Sequence, residues 1–167
     1  MRFAFKAGLL TALVLVVAAC TPRVETPAAS TSSVTMDGAV FEIADAAISS
    51  NCLSLAFAVR GYVPPPGALP QHGFPPAKSI AIRASSPGAL LDPVPLGGGG
   101  GGGGQDEDGR VWMRQEMFYS LSAPVPENTQ VPLEITVVLN EDFGSSAPLL
   151  YRIPVVAGPG GGLCPQP

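Results

Sequence analysis

Glycine and proline punctuate this chain too densely for long helices. It holds 20 glycines and 19 prolines in 167 residues, just under the share that marks low-complexity sequence. An interior proline removes a helical hydrogen bond, and an interior glycine costs a helix about 1 kcal/mol relative to alanine. Beyond residue 20 there are no runs of Leu, Glu, Lys and Arg to offset this. What stands between the breakers is alternation. Leu53, Leu55, Phe57 and Val59 alternate with Ser54, Ala56, Ala58 and Arg60. Val131, Leu133, Ile135, Val137 and Leu139 alternate with Pro132, Glu134, Thr136, Val138 and Asn140, and a third such stretch runs from Leu149 to Val156. A period of two is the pattern of a strand with one face buried.

Other segments fit the same plan. Val40–Ile48 reads as a first, irregular strand, closed by the turn residues Ser49, Ser50 and Asn51. Ser79–Arg83 is a short strand, and 89–95 makes at most an edge strand because its prolines cannot donate to a ladder. Pro154 likewise marks the last strand as an edge or a bulged one. Residues 63–77, rich in proline and glycine, read as a long loop. Gly97–Gly104 is an unbroken run of eight glycines, expected to be a flexible surface loop with the acidic residues that follow it. Arg110–Leu121 is a strand whose face is ambiguous, since Trp112 and Phe118 share a side with Arg114 and Glu116. About seven strands result, so the expectation is all-β, a single immunoglobulin-like antiparallel β-sandwich over residues 37–157. Residues 158–167 form a Gly/Pro-rich C-terminal tail. The expected core is Leu53, Leu55, Phe57, Val59, Ile80, Ile82, Leu133, Ile135, Val137, Leu139, Tyr151 and Ile153. Cys52 falls on the outer face in this register.

The first twenty residues carry a different kind of information. Met1–Lys6 is short and basic, Ala7–Ala19 is apolar apart from Thr11, and the stretch closes on Val17-Ala18-Ala19-Cys20. A basic start, a short apolar core and small residues make a secretion signal, too short to be a membrane span. Small residues with a cysteine at the cut site resemble the lipobox of bacterial lipoprotein precursors. The resemblance implies that residues 1–19 are removed as a signal peptide. It also implies that Cys20 becomes the lipidated amino terminus, carrying diacylglycerol and usually an amide-linked acyl chain such as palmitate. Residues 20–36 then read as a disordered Ser/Thr/Pro tether. The implied location is the cell envelope, anchored in the membrane on its extracytoplasmic side. Thr21 stands where an Asp retains such proteins on the inner membrane of enteric bacteria, so the outer membrane is implied where the host has one, and otherwise the outer face of the plasma membrane.

With Cys20 acylated, Cys52 and Cys164 are the remaining two of three cysteines. An even pair outside the cytosol is a candidate disulfide. The formal net charge is −4, and it becomes more acidic once Arg2 and Lys6 leave with the signal. A chain without a basic patch has no nucleic-acid footprint.

Catalytic and metal chemistry find little support. His72 is the one histidine, set in the loop Pro70-Gln71-His72-Gly73 without a nucleophile elbow beside it. One histidine and two distant cysteines supply no zinc-ligand pair. Asp106-Glu107-Asp108-Gly109 has two acids at calcium-loop spacing, but Arg110 takes the third acidic position. The glycine run lacks the Gly-Lys-Ser/Thr of a phosphate cradle. No cofactor is expected. Trp112, Arg114 and Phe118, with Tyr62 as a further candidate, could instead line a sheet face that stacks on sugar rings or a peptide, or complete the core. The expectation is a non-catalytic binding or envelope-assembly module with an envelope protein or glycan partner. The alternatives are a hydrolase whose site assembles only in three dimensions, and an accessory inhibitor of an envelope enzyme.

Overall fold

The computed structural model describes residues 31–64, 75–96, 99–143, 147–159 and Cys164. It is all-β apart from one short 3-10 turn at Glu141–Phe143. The strands are β1 (Ser33–Met36), β2 (Ala39–Ser49), β3 (Cys52–Tyr62), β4 (Ala77–Ser86), β5 (Ala89–Leu91), β6 (Val94–Leu96), β7 (Gly101–Gln105), β8 (Val111–Ser120), β9 (Gln130–Leu139) and β10 (Leu149–Gly158). They run in the order β5-β4-β9-β10-β2-β3-β8-β6, with β1 added beside β2 and β7 beside β8. Every pairing is antiparallel except β10 with β2, which meet in parallel at Ala157–Ile48 and Gly158–Ser49. The architecture is therefore a curled mixed sheet of ten strands, where the sequence predicts about seven antiparallel ones.

The turn chemistry explains much of this connectivity. Asp37 and Gly38 both have positive φ, 49° and 81°, between the paired Met36 and Ala39. That is the two-residue turn matched to hairpin twist, and Asp-Gly favours it. Residues 33–36, expected as the end of a disordered tether, are thus a strand. Before β1, Thr31 exchanges backbone hydrogen bonds of 2.9 and 3.1 Å with Arg152. Ser32 C=O accepts from Ile43 N–H at 2.8 Å. The irregularity of the first strand is a bulge between Ile43 and Asp45, where one extra residue re-aims the strand. Pro132 and Pro154 stand opposite one another in the β9–β10 ladder. Neither can donate, so placing them together confines the lost hydrogen bonds to one rung.

One core lies between the two halves of the curl. β2, β3 and β8 contribute Phe41, Ile48, Leu53, Leu55, Phe57, Val59, Met113 and Tyr119, and β9 and β10 contribute Leu133, Ile135, Val137, Leu139, Leu149, Tyr151 and Val155, all buried. Tyr151 ties the halves together. Its ring meets Phe57 edge-on at 6.3 Å and its hydroxyl donates to Phe41 C=O at 3.1 Å. Burial, with the Glu42 charge adding to it, pushes that hydroxyl well above the usual tyrosine range. Ile80, Ile82 and Ile153, expected in the core, are only partly buried and pack against it. Ile80 and Ile82 lie on the part of β4 that, among the described residues, β5 does not flank, since it pairs only 84–86. The β2–β10 seam closes only at its end. Above the parallel contact the strands diverge into a wedge of about 440 Å³, lined by Ala46–Ser49 on one wall and Pro154–Val156 on the other.

The glycine run corrects its expected character. Gly101–Gln105 is β7, paired with Val111–Gln115 of β8, and Gly100 C=O accepts from Glu116 N–H at 2.7 Å. A Cβ on Gly99 would sit 2.1 Å from Glu116 O, and one on Gly101 or Gly103 would sit 3.0 Å from Arg114 O or Trp112 O. One on Gly102 would meet nothing within 4 Å. Gly99→Ala should therefore cost about 1–3 kcal/mol through backbone displacement. Gly102→Ala should be neutral or stabilise by about 0.5–1 kcal/mol through the lost entropy of the unfolded chain. Urea denaturation of both variants checks this, and equal effects would contradict the ladder.

Candidate binding face

β8 sorts its side chains cleanly. Val111, Met113 and Tyr119 point inward and are buried, with Gln115 and Met117 half-buried beside them. Trp112, Arg114, Glu116 and Phe118 point outward, spaced about 7 Å apart along one strand. Trp112 is 49% exposed, and Phe118 is half-buried. Trp112 and Phe118 thus both lie on the outer side of β8, and Trp112 is the exposed one.

The neighbouring strands keep that face low. On β3, Ala58 stands opposite Arg114 and Ala56 opposite Glu116. On β7, Gly104 stands opposite Trp112 and Gly102 opposite Arg114. A Cβ on Gly104 would lie 2.8 Å from the Trp112 Nε1 and 3.0 Å from its Cε2. The indole therefore rests on a bare glycine Cα, a place no other residue leaves free. Tyr62 does not join this face. It packs on Phe143 at 4.7 Å, and its hydroxyl donates to Asp142 C=O at 2.5 Å. Its register partner is the inward-facing Val111.

The charges on the outer face are paired. Arg114 Nε contacts Glu116 Oε1 at 3.0 Å, both about half exposed. Arg60 Nη2 contacts Glu42 Oε1 at 2.6 Å. That Glu42 oxygen is shielded from water and its contact with Arg60 is ionic, without hydrogen-bond geometry. Exposed pairs of this kind contribute about 0–1 kcal/mol to stability. Their greater effect here is to leave the face with both donors and acceptors and little net charge. The Arg60–Glu42 pair was not visible in sequence because it joins diagonal positions on adjacent strands, where Arg60 stands opposite Val40 and Glu42 opposite Ala58.

Cys52 and Cys164 stand at disulfide distance, with Cα atoms 5.8 Å apart, inside the usual range. Cys52 is buried, 7% exposed, contrary to its expected place on a wetter face. Near it, Cys164 Sγ lies 3.8 Å from Tyr119 O, and Ser49 Oγ donates to Pro159 C=O at 2.9 Å.

The remaining sequence candidates separate. Cys20 and His72 lie outside the described residues. In the acidic turn, Asp106 Oδ1 accepts from the backbone N–H of Asp108 at 3.0 Å and of Arg110 at 2.7 Å. That carboxylate holds its own loop together. Among the described residues no three His, Cys, Asp or Glu side chains gather in a metal-binding group. The wedge between β2 and β10 is lined by alanine, isoleucine, valine, proline, glycine and Ser49, with no titratable side chain for acid–base work. No helix among the described residues is long and apolar enough to cross a membrane. No family model, curated protein or solved structure matches the chain.

Proposed function

We propose that this chain is a non-catalytic binding module of the cell envelope, held by lipid on Cys20 and presenting the outer face of β8 to its partner. The observation that carries the reading is Trp112. Trp112 is half-exposed in the outward row of β8, next to Arg114 and with Phe118 further along, and offers a large amphipathic ring for contact with a partner. The residues opposite it on β7 are glycines, which leave the indole room on that side. The curled sheet with one core between its halves serves as an immunoglobulin-like sandwich, a rigid base for such a face. Capture from an envelope extract, by wild-type protein and by Trp112→Ala, tests the reading. A partner retained by the first and lost by the second is expected, and equal retention would refute it.

The anchor has its own test. A diacylglyceryl group supplies two acyl chains, and at about 0.8 kcal/mol per buried methylene two chains give stable membrane attachment. Cys20→Ser should leave uncleaved precursor or a soluble product on membrane fractionation. A mature-length species that still sediments with membranes would overturn the lipid assignment.

A further inference from the structure

We infer that the Cys52–Cys164 bridge is a redox-sensitive latch on the β2–β10 seam, which a dithiol reductant opens while the rest of the sheet stays folded. The seam is the shortest pairing in the sheet. Among the described residues its parallel register is confined to Ala157–Ile48 and Gly158–Ser49. By contrast, β2 runs beside β3 from Val40 to Ser49, and β10 runs beside β9 from Leu149 to Val156. Ahead of the parallel contact lies the wedge lined by Ala46–Ser49 and Pro154–Val156. On its far side, the Thr31–Arg152 bridge joins β10 to the chain that leads into β1. A join of so few residues is where a sheet opens locally, at a cost below that of global unfolding.

The cysteines sit at the closed end of that wedge. Gly158 stands opposite Ser49, and Ser49 stands opposite Cys52 across the turn Ser50-Asn51. Ser49 Oγ donates to Pro159 C=O at 2.9 Å, and Cys164 then reaches Cys52 with Cα atoms 5.8 Å apart. With the seam closed, the bridge completes a small ring, from Ser49 to Cys52 on one arm and from Gly158 to Cys164 on the other. With the seam open, the same bond has to close a longer loop, at a greater entropic cost. The bridge and the parallel contact therefore stabilise one another, and cutting the bridge removes the covalent part of that support.

What the latch holds together is buried surface. Ile48 and Ala157 face one another across the seam, each 1% exposed. What stays folded without the latch is held elsewhere. Ala157 keeps its backbone bonds to Thr129 and Asn128, at 2.9 and 2.8 Å. Tyr151 keeps the two halves of the curl joined through Phe41 C=O and the Phe57 ring. Reduction thus frees the end of the seam and leaves the core closed.

The two sulfurs differ in access. Cys52 is buried, and Cys164 is half-buried. A thiolate of the reductant attacks Cys164 Sγ, the S–S bond breaks, and the Cys52 sulfur leaves and takes up a proton. The second thiol of the reductant then attacks the mixed disulfide, releasing Cys164 as a thiol and closing the reductant into its own disulfide. Two electrons and two protons pass from the dithiol to the protein.

Hydrogen exchange of the exported protein, with and without dithiothreitol, tests the latch. In dithiothreitol the amides of Ile48 and Gly158 should lose at least about tenfold more protection than those of the β3 and β9 ladders, as a local opening requires. Far-ultraviolet circular dichroism should stay unchanged, and oxidised dithiothreitol should restore the protection. Cys164→Ser should show the same pattern without reductant. If seam and ladders lose protection in equal proportion, the bridge staples the whole fold and the inference is overturned. It is overturned as well if the seam stays as protected as before, or if re-oxidation fails to close it.

Discussion

Ile135→Ala is expected to cost about 2–5 kcal/mol, the range for deleting a large aliphatic side chain from a packed core. Ile135 is 1% exposed and sits mid-strand in β9, opposite Ile82 of β4 and Tyr151 of β10. Strands on both sides hold the backbone, so the site cannot collapse around the cavity. Glu134→Ala, one residue earlier on the exposed face, should change stability by no more than about 0.5–1 kcal/mol. Its pairing with Arg152 at 3.7 Å is a surface contact. Guanidinium denaturation with unchanged slope separates the two variants. Equal losses would mean that β9 is not oriented as described.

Removing the Cys52–Cys164 link should have an effect of similar size. The two cysteines are 112 residues apart, and the chain-entropy model assigns a loop of that length about 4–5 kcal/mol, an upper bound. Cys164→Ala should lower stability by about 2–5 kcal/mol and release the tail. Because Cys52 is buried, its freed thiol should label slowly. Alkylation of exported wild-type protein without reductant, followed by mass spectrometry, should find neither thiol labelled. Two labelled thiols would refute the bridge.

The parts of the fold that bury one face and wet the other were legible. Leu53, Leu55, Phe57 and Val59, and Leu133 through Leu139, lie in the core as their period requires. Alternation hid something on β3, where Ala56 and Ala58 are buried on the opposite face too. Small residues vanish beneath longer cross-strand neighbours, and Glu42, Arg114 and Glu116 all flank them in register. The glycine strand was illegible for the opposite reason. It has no side chains to alternate, and carbonyl oxygens of β8 crowd the Cβ positions of Gly99, Gly101 and Gly103 alone. β1 was masked by its Ser/Thr content, although the Asp37-Gly38 turn beside it was a readable hairpin signal. On the candidate face, the β8 row itself was in the sequence. Its direction depended on which side of β8 met the core.

The placement of Thr31 has a mechanical consequence. Thr31 bonds Arg152 and Ser32 bonds Ile43 there, and the chain continues directly into β1 and β2. A pull between Thr31 and the outer face of β8 travels through β1, β2, β3 and β8 in series, along the long β2–β3 and β3–β8 ladders. The short parallel contact between β2 and β10 lies off this line. β4 and β9 therefore carry little of the load, and β10 is drawn in only through the Thr31–Arg152 bonds. They can keep the core closed while the strands beneath the Trp112 row act as the tension member.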